Sequence, residues 1–498
     1  MFLLGYDIGS SSVKASLLNA KTGEVVASAF CPKVEMEMLA VQPGWAEQHP
    51  DTWWENIKAA TAEVLAKSKI DVKQIKAIGI SYQMHGLVVV DKNKQVLRPS
   101  IIWCDSRAVG IGSAAFDKIG KTKCLEHLLN SPGNFTASKL KWVKDNEPEI
   151  YSRIYKAMLP GDYVAMKMTG EITTTATGLS EGILWDFKSE KVADILLHHY
   201  GISKDLIPTV VPVFSNQGAL TSAAAKELGL NAGTVIAYRG GDQPNNAFSL
   251  NVLKPGEVAA TAGTSGVIYG VSDKAQYDEQ SRVNTFVHVN HKTEAPRYGV
   301  LLCVNGTGIL NSWMKNHLLG YKKDFTYPQM NDIASEAPIG SSGLSMLPFG
   351  NGAERILGNK EIGAQLEGLR FNTHSLPHLL RAAQEGIVFS LNYGLEIMQK
   401  VGVNATTIKA GEGNMFLSPI FSEAFSTLTG AVVELYKTDG AQGAARAAGF
   451  GAGLYNSIDE AFAGLHSIRS IEPQSRLRPQ YEDAYGNWLN ALSKHIKI

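Results

Sequence analysis

The N-terminal part of the chain alternates between short apolar runs and clusters of turn residues. Residues 2–6 and 13–18 predict two strands joined by a tight turn, and residues 25–30 predict a third strand. After Pro50, apolar residues recur at helical spacing, which predicts an amphipathic helix beginning at that proline. Residues 75–81 return to the strand pattern. Strands that alternate with helices are typical of an α/β protein.

The same order of elements returns in the second half of the chain. TVIAYRGGDQPNNAF (residues 234–248) predicts strand, turn and helix, and GEVAATAGTSGVIYG (256–270) predicts a hairpin with small residues at its tip. The stretch YDIGSSSVK (6–14) has a similar tip. Residues 408–430 and 431–453 each predict a strand followed by a helix. We therefore expect two halves built on one plan, with a domain boundary between residues 235 and 236.

Composition narrows the class of protein. Lys+Arg and Asp+Glu both number 47, so the formal net charge is zero, which argues against a nucleic-acid or anionic-membrane partner. The N-terminus lacks the basic and apolar segments of a signal peptide, and no apolar run approaches the ~20 residues of a membrane helix. The four cysteines form no CxxC pair, which favours a reduced, cytoplasmic protein: Cys31, Cys104, Cys124 and Cys303.

The two hairpin tips are candidate phosphate sites. In the first tip a glycine allows a tight turn whose backbone N–H groups can face an anion, and Ser10 and Ser11 add donors. Asp7 repels a phosphate, so its place beside one requires Mg²⁺ between them. Residues 262–266 form the second tip, and the Gly-rich turn at 411–414 would fit an adenosine. The alternative is that all three are ordinary turns.

Asp242 is the strongest candidate for catalysis. It follows Gly240 and Gly241 after a predicted strand, and Pro244 predicts the start of a helix just beyond it. A carboxylate at a helix N-terminus is expected to stay ionised at neutral pH. Such a group can accept the proton of a hydroxyl that attacks phosphorus. The alternative is that Asp242 only caps the helix.

Polar and aromatic residues follow the strand predicted at residues 75–81. Met84 and His85 come at its end, where an imidazole could bond sugar hydroxyls, and Trp103 could form the aromatic wall of a polar pocket. The alternative is a structural histidine, a tryptophan in the core and a surface ion pair between Asp105 and Arg107.

The order of these motifs resembles the FGGY family of carbohydrate kinases. The matching stretches are GYDIGSSSVK, YQMHG, RPSIIWCDSR, LPGDY, GGD, TAGTSG, AGEGN and GAQGAARAAG, which extend over nearly the whole chain. The resemblance implies two ribonuclease-H-like domains of the actin and hexokinase type with a cleft between them. Sugar would bind to residues 1–235 and ATP to residues 236–498. The stretch YQMHG is similar to that of the xylulokinases in the family, which implies phosphorylation of D-xylulose.

The resemblance also implies roles for individual residues. Asp242 matches the catalytic base and Asp7 the aspartate near Mg²⁺, so both would lie at the metal, and the implied cofactors are ATP and Mg²⁺. Sugar contacts would come from Met84, His85, Trp103, Asp242 and Gln243. Nucleotide contacts would come from Ser10, Ser11, Lys14, Gly263, Thr264, Ser265, Gly306, Gly411, Gly413 and Asn414.

Departures from the family pattern leave the substrate open. Gln243 stands where xylulokinases commonly have Asn, and TTTATGLSEGILWDF (173–187) is only loosely similar. Glu412 interrupts the glycines of the adenosine turn, which leaves kinase chemistry intact. The nearest alternative substrate is L-ribulose, another ketose or a polyol. An ATPase switch of the actin or Hsp70 type is an alternative of a different class. The sequence leaves the oligomeric state open, with a homodimer as one possibility.

Overall fold

A computed structural model of the protein describes residues 1–319 and 325–496. The strands are β1 (Phe2–Ile8), β2 (Val13–Asn19), β3 (Val25–Cys31), β4 (Glu47–Gln48), β5 (Ile75–Tyr82), β6 (Val88–Val90), β7 (Ser100–Ile101), β8 (Lys156–Met158), β9 (Thr173–Thr174), β10 (Trp185–Asp186), β11 (Lys191–Val192), β12 (Thr209–Val210), β13 (Val235–Gly241), β14 (Glu257–Ala262), β15 (Gly266–Ser272), β16 (Asn284–Val287), β17 (Tyr298–Val304), β18 (Ser345–Leu347), β19 (Gln365–Glu367), β20 (Thr407–Gly411), β21 (Val432–Tyr436) and β22 (Ser467–Ile471).

The α-helices are α1 (Pro50–Ser68), α2 (Val109–Ile119), α3 (Lys121–Leu128), α4 (Thr136–Asn146), α5 (Pro148–Arg153), α6 (Pro160–Thr169), α7 (Ala176–Glu181), α8 (Asp194–Tyr200), α9 (Ser222–Leu228), α10 (Asp242–Ser249), α11 (Gly308–Trp313), α12 (Tyr327–Ser335), α13 (Leu376–Lys400), α14 (Pro419–Thr429), α15 (Gly440–Gly451) and α16 (Arg478–Ser493). None of the helices in the described part of the chain combines the length and the apolar character that a membrane span requires.

The chain divides into two units, each with its own hydrophobic core. Unit 1 contains Met1–Asn251, Phe286–Tyr298 and Thr438–Leu465, and unit 2 contains Val252–Thr285, Gly299–Lys437 and His466–Ile498. Both units are therefore assembled from separated segments, whereas the sequence predicts the two continuous segments 1–235 and 236–498. Unit 1 extends past residue 235 because β13 pairs with β5. The assignment of sugar and ATP to the two parts of the chain stays a prediction.

The central sheets of the two units share one strand arrangement. In unit 1 the order is β13-β5-β1-β2-β3, with β1 antiparallel to β2 and parallel to β5, and with β5 parallel to β13. Unit 2 contains most of a sheet of order β16-β17-β15-β14-β20-β21-β22, in which β14 is antiparallel to β15, parallel to β20, and β20 is parallel to β21. A hairpin followed by two parallel strands thus occurs twice, which confirms the prediction of two halves on one plan.

Helix α1 shows why the first predicted helix forms. It begins at Pro50, as the sequence predicts, because proline fixes a helical φ at a position that needs no N–H donor. Its apolar face is buried on the side of the sheet formed by β2 and β3, through Trp53, Ile57, Ala60 and Val64.

Helix α15 lies very close to β1 and β5 because small residues line both surfaces. A Cβ atom added to Gly5 would overlap the carbonyl oxygen of Ala441, and one added to Gly79 would overlap that of Ala444. At these two positions no side chain fits between the helix and the strands. The motif GAQGAARAAG therefore forms part of the core of unit 1, although it lies far from β1 and β5 in the sequence.

Candidate active site

Asp7 and Asp242 lie at the carboxyl ends of the parallel strands of unit 1. The pairing register places Asp7 opposite Ser81, and Ser81 opposite Gly240. Asp242 follows two residues later as the first residue of α10. Because neighbouring parallel strands end at the same edge of a sheet, the fold brings together two acidic residues that are far apart in sequence.

The electrostatics of this edge follow from burial and like charges. The Ser81 hydroxyl donates to the Asp7 carboxylate at 2.9 Å. Burial raises the pKa of Asp7, and the charge of the Asp439 carboxylate acts in the same direction. The charge of Lys14 and the hydrogen bond from Ser81 lower this pKa. Burial and the charge of Asp7 raise the pKa of Asp242 to about 7. This direction opposes the expectation that the helix N-terminus keeps Asp242 ionised, because burial and the charge of Asp7 both favour the protonated form.

Helix α10 begins earlier than the sequence predicts. Its first residue is Asp242 and its N-cap is Gly241, whereas the sequence predicts a start at Pro244. The alternative in which Asp242 merely caps the helix is wrong, since this residue stands inside the first turn. Hydrogen bonds from the backbone and side chain of Gln243 lower the pKa of Asp242 and partly oppose the effect of burial.

Two further residues next to Asp7 were not predicted. Asp439 is the N-cap of α15, and its carboxylate accepts the backbone N–H of Gln442 at 2.9 Å. Gly440 begins the helix, and a Cβ atom there would overlap the Asp7 carboxylate. Asp439 directly precedes the Gly/Ala-rich motif that begins at Gly440, and it is the signal that could have found both residues, since Asp is a preferred N-cap.

His85 has a constrained backbone and a fixed ring. Its φ is +63°, in the left-handed region, just beyond the end of β5. Its Nδ1 lies 2.9 Å from the carbonyl oxygen of Glu181. Because a carbonyl only accepts, Nδ1 carries the proton, and the neutral ring has its lone pair on Nε2. The ring packs edge-on against Phe135, with centroids 4.8 Å apart, and is tilted against Phe286 at 5.7 Å.

Met84 and Glu181 lie beside the backbone that leads into Asp242. A Cβ atom added to Gly241 would be 2.6 Å from Met84 Cγ and 3.0 Å from Glu181 Oε2. Both side chains are buried, and burial raises the pKa of Glu181 well above its usual range, with the charge of Asp242 acting in the same direction. Glu181 was missed because it belongs to the segment that only loosely resembles the family.

Trp103 lies at the first hairpin tip. The indole N–H donates to Ser10 Oγ at 3.4 Å, and 51% of the residue is exposed, so the alternative of a core tryptophan is wrong. The expected surface pair of Asp105 and Arg107 is instead a buried ion pair at 2.7 Å. The Arg107 guanidinium stacks on Trp45, 3.7 Å from the ring centroid, so the pair packs inside the protein and not on its surface.

The other residues predicted at this tip occupy different positions. Ser11 is exposed at the tip, and its carbonyl oxygen accepts the backbone N–H of Met36 at 2.9 Å. Lys14 stands opposite Asp7 across the hairpin, with an exposed side chain whose positive charge lowers the pKa of Asp7.

Unit 2 contains a cavity of about 540 Å³ next to the second hairpin tip. The cavity reaches from this tip to the turn after β20, where the sequence predicts the nucleotide. Of the predicted nucleotide residues, its wall includes Gly263, Thr264 and Asn414. The wall also includes residues that were not predicted, among them Tyr327, Pro328, Asn331, Met415 and Leu417.

The remaining predicted nucleotide residues of unit 2 stand beside that wall. Ser265 is the next residue of the hairpin tip, and Gly411 is the last residue of β20, opposite Tyr436. Gly413 follows in the turn, where an added Cβ atom would meet nothing within 4 Å. Gly306 has a packing role, because a Cβ atom there would overlap the carbonyl oxygen of Pro348.

Glu354 holds the turn that contains Gly306. Its carboxylate accepts the backbone N–H groups of Asn305 at 3.0 Å and Gly306 at 3.1 Å. This turn supports the second hairpin tip, since the N–H of Gly308 donates to the carbonyl oxygen of Gly263 at 2.9 Å. Glu354 is 1% exposed, and burial raises its pKa to about 7. No local sequence signal marks Glu354, because its partners lie about fifty positions away along the chain.

The carboxylates of unit 1 fit a divalent cation only together with a phosphate ligand. Within residues 1–319 and 325–496, no group of three or more His, Cys, Asp or Glu side chains is placed to hold a metal ion. Mg²⁺ is usually bound by one or two carboxylates plus substrate phosphates. Asp7 and Asp242 offer two such carboxylates, and a cation would relieve the repulsion that raises the pKa of Asp242.

Family models match most of the chain. The N-terminal domain of the FGGY family of carbohydrate kinases matches residues 2–249, and the C-terminal domain of that family matches residues 258–452. The chain belongs to the FGGY family of carbohydrate kinases. This FGGY kinase is 30% identical over 506 residues to the xylulose kinase of Bacillus subtilis, a match that covers 100% of this chain and 97% of the relative.

Two further relatives agree with this assignment. The xylulose kinase of Staphylococcus xylosus is 28% identical over 497 residues, covering 97% of this FGGY kinase and 98% of the relative. The crystal structure of xylulose kinase from Rhodospirillum rubrum superimposes with a TM-score of 0.89 at 25% identity, covering 99% and 98% of the two chains. The predictions of an α/β sugar-kinase fold and of a carbohydrate kinase are confirmed. Membership of this kinase family implies the use of ATP.

Proposed function

We propose that this FGGY kinase transfers the γ-phosphate of ATP to D-xylulose and forms D-xylulose 5-phosphate. The observation that carries the proposal is the position of Asp242 beside Asp7, at the edge of the sheet where Met84 also lies. Relatives that cover the whole chain and are named xylulose kinases support the choice of sugar.

Asp242 acts as the general base. A catalytic base works best when its pKa lies near the operating pH, and the pKa of Asp242 is about 7. Phosphoryl transfer needs little covalent help from the protein, so positioning the hydroxyl and accepting its proton are the main tasks of this residue.

Asp7 and Asp242 would hold Mg²⁺ together with the phosphates of ATP. When bound, the ion neutralises charge between the phosphate groups. Ser81 keeps the Asp7 carboxylate oriented through its 2.9 Å hydrogen bond, and Asp439 adds a third negative charge nearby.

The sugar binds to unit 1 through Met84, His85, Trp103, Asp242 and Gln243. The His85 imidazole accepts a hydrogen bond from a sugar hydroxyl at Nε2, because the carbonyl oxygen of Glu181 holds the proton on Nδ1. Trp103 offers its half-exposed indole as an apolar wall.

ATP binds to unit 2 in the cavity beside the second hairpin tip. Of the proposed nucleotide contacts in unit 2, Gly263, Thr264 and Asn414 line this cavity, and the others are Ser265, Gly306, Gly411 and Gly413. In unit 1, Ser10, Ser11 and Lys14 keep their predicted role as phosphate contacts. The volume of the cavity, about 540 Å³, is in the range of small-molecule sites.

A sugar panel with coupled ADP detection tests the proposal. The panel contains D-xylulose, L-ribulose, other ketoses and glycerol, each titrated at saturating Mg-ATP. We expect the highest kcat/KM for D-xylulose. A higher value for another sugar would replace D-xylulose as the substrate, and ADP release that no sugar stimulates would favour an ATPase switch instead.

A further inference from the structure

The N-terminal end of α4 makes three contacts with the turn that carries His85. The Phe135 ring, just before the helix, packs edge-on against the imidazole. The Thr136 hydroxyl donates to the carbonyl oxygen of Gly86 at 3.3 Å. The Lys139 ammonium donates to the carbonyl oxygen of His85 at 2.9 Å. One end of one helix therefore contacts the ring and both carbonyl groups of the turn.

Lys139 also bonds to a second, well-buried segment. Its ammonium donates to the carbonyl oxygen of Ile102 at 2.8 Å, and the Ile102 N–H donates to Ala46 at 3.1 Å. Both Lys139 and Ile102 are fully buried. The ammonium thus ties the His85 backbone to a fixed part of the core.

A lysine at this position is costly. Burial lowers its pKa to about 7, although the charge of Asp105 acts in the opposite direction. An apolar side chain of the same length would fill this space without the desolvation cost of burying an ammonium. Lys139 therefore stabilises the fold little more than an apolar side chain would. Its hydrogen bonds instead hold the backbone at residues 85 and 102.

The backbone of His85 needs such support. A non-glycine residue in the left-handed region is strained, and this conformation persists only where its surroundings determine it. The bond from Lys139 fixes the peptide plane that follows His85. The same turn carries the imidazole whose Nδ1 bonds to the carbonyl oxygen of Glu181, so a shift of this backbone would move the ring as well.

We propose that Lys139, assisted by Thr136, is a positioning residue for sugar binding, which keeps the His85 imidazole in its sugar-binding orientation by fixing the backbone of this turn. The inference rests on the proposed role of His85 in sugar binding. Lys139 itself is buried and does not contact the sugar.

The test replaces Lys139 with methionine, which keeps the length of the side chain and removes its donors. We expect Lys139→Met to raise the KM for D-xylulose about ten-fold and to leave the KM for ATP within about two-fold, as fits the loss of buried hydrogen bonds on one substrate side only. The matched control is Lys141→Met on the same helix, whose ammonium pairs with Asp145. It should change neither KM.

A double-mutant cycle with His85→Ala separates positioning from general damage to the fold. If Lys139 acts through the imidazole, Lys139→Met should add less than about two-fold to the sugar KM in the His85→Ala background. The same ten-fold increase in both backgrounds, or an equal increase in the KM for ATP, would overturn the proposal. A sugar KM that Lys139→Met leaves unchanged would overturn it as well.

Two further variants keep the proposal testable if Lys139→Met does not fold. Thr136→Val removes one hydroxyl at constant volume and should raise the sugar KM about two- to three-fold, again only when His85 is present. No effect of Thr136→Val would then count against the proposal. His85→Ala alone tests the proposed function, because an unchanged sugar KM in this variant would exclude a role of His85 in sugar binding. If His85→Ala raises the sugar KM but Lys139→Met leaves it unchanged, only the inference about Lys139 is overturned.

Discussion

Two opposing influences act on the carboxyl group of Asp242. The N-terminus of α10 favours the ionised form, as does the hydrogen bonding of Gln243, while burial and the charge of Asp7 favour the protonated form. The second pair is larger, and the pKa rises to about 7. A residue with this pKa can both hold and release a proton near neutral pH, which suits a general base better than a fully ionised aspartate.

Replacing Asp242 with asparagine should separate catalysis from folding. We expect phosphoryl transfer to fall by roughly 10²–10⁴-fold, because the amide cannot accept the proton. The thermal midpoint should stay the same or rise, since one of two repelling carboxylates is removed. Coupled ADP release and thermal unfolding measure the two effects. Asp194→Asn, at an exposed helix start, is the control, and near-normal turnover of Asp242→Asn would exclude Asp242 as the base.

Glu354 should make the stability of the protein depend on pH. Its pKa is raised from 4.5 to about 7, so the folded protein binds this proton more tightly than the unfolded chain does. Between these pH values the stability contributed by Glu354 falls as pH rises, and the loss is complete above about pH 7. Because Glu354→Gln cannot ionise, the variant should gain roughly 2 kcal/mol relative to wild type between pH 5 and pH 8.

Thermal midpoints of both proteins across that pH range measure the effect. The matched control is the exposed Glu361→Gln, seven positions along the chain, which should follow the wild type at every pH. A constant difference between Glu354→Gln and wild type would show that the carboxyl group does not titrate in this window.

At the scale of elements, the contact of α15 with β1 and β5 determines which groups surround the Asp7 carboxylate. Helix and strands approach closely because Gly5 and Gly79 face the backbone of α15. The same approach brings the start of the helix, at Asp439 and Gly440, against the Asp7 carboxylate. The small residues of this interface therefore support both the core of unit 1 and its candidate active site.

Gly79→Ala should destabilise the protein by about 1–3 kcal/mol or more, because the added methyl overlaps the carbonyl oxygen of Ala444 and forces the helix away. Gly486→Ala is the matched control: this glycine lies inside α16, and an added Cβ would meet nothing within 4 Å. The control should be stabilised by about 0.4–1 kcal/mol, because alanine has less freedom to lose on folding. Denaturant unfolding distinguishes the two, and equal effects would contradict the close packing.

On the scale of the whole molecule, unit 1 depends on a segment from near the C-terminus. Residues Thr438–Leu465 contribute α15, which covers β1, β5 and β13. A chain that stops at the end of the first continuous segment lacks this helix, so the small-residue surface of its sheet is uncovered. The predicted boundary between residues 235 and 236 leaves β13 out as well.

A fragment of residues 1–251 should therefore fail to form a native unit. We expect it to show no cooperative thermal transition and to bind a hydrophobic dye, because apolar surface that α15 covers is exposed. Appending residues 438–465 through a flexible linker should restore at least part of the transition. Circular dichroism and dye fluorescence measure both, and cooperative unfolding of the fragment alone would contradict a structural need for α15.

Much of the local structure could be predicted from the sequence. The strands β1, β2, β3 and β5, the start of α1 and the hairpin of β14 and β15 follow from apolar periodicity and turn residues, which act within a few positions. The start of α10 was misplaced by two residues, because Pro244 is tolerated anywhere in the first turn and does not mark its first residue. The sequence does not decide whether Trp103 and the Asp105–Arg107 pair are buried or exposed, since burial depends on distant segments of the chain.

By itself, the sequence determined the strands and helices that carry the motifs, the repeated hairpin plan and the family, because these depend on periodicity and on motifs that each occupy a few consecutive residues. Only the tertiary structure decided the pKa of Asp242, the support of His85 by Lys139, the hold of Glu354 on its turn and the place of α15 in unit 1. The physical reason is that desolvation and hydrogen bonding depend on atoms brought together from distant segments, and side-chain spacing along the chain does not encode those distances directly.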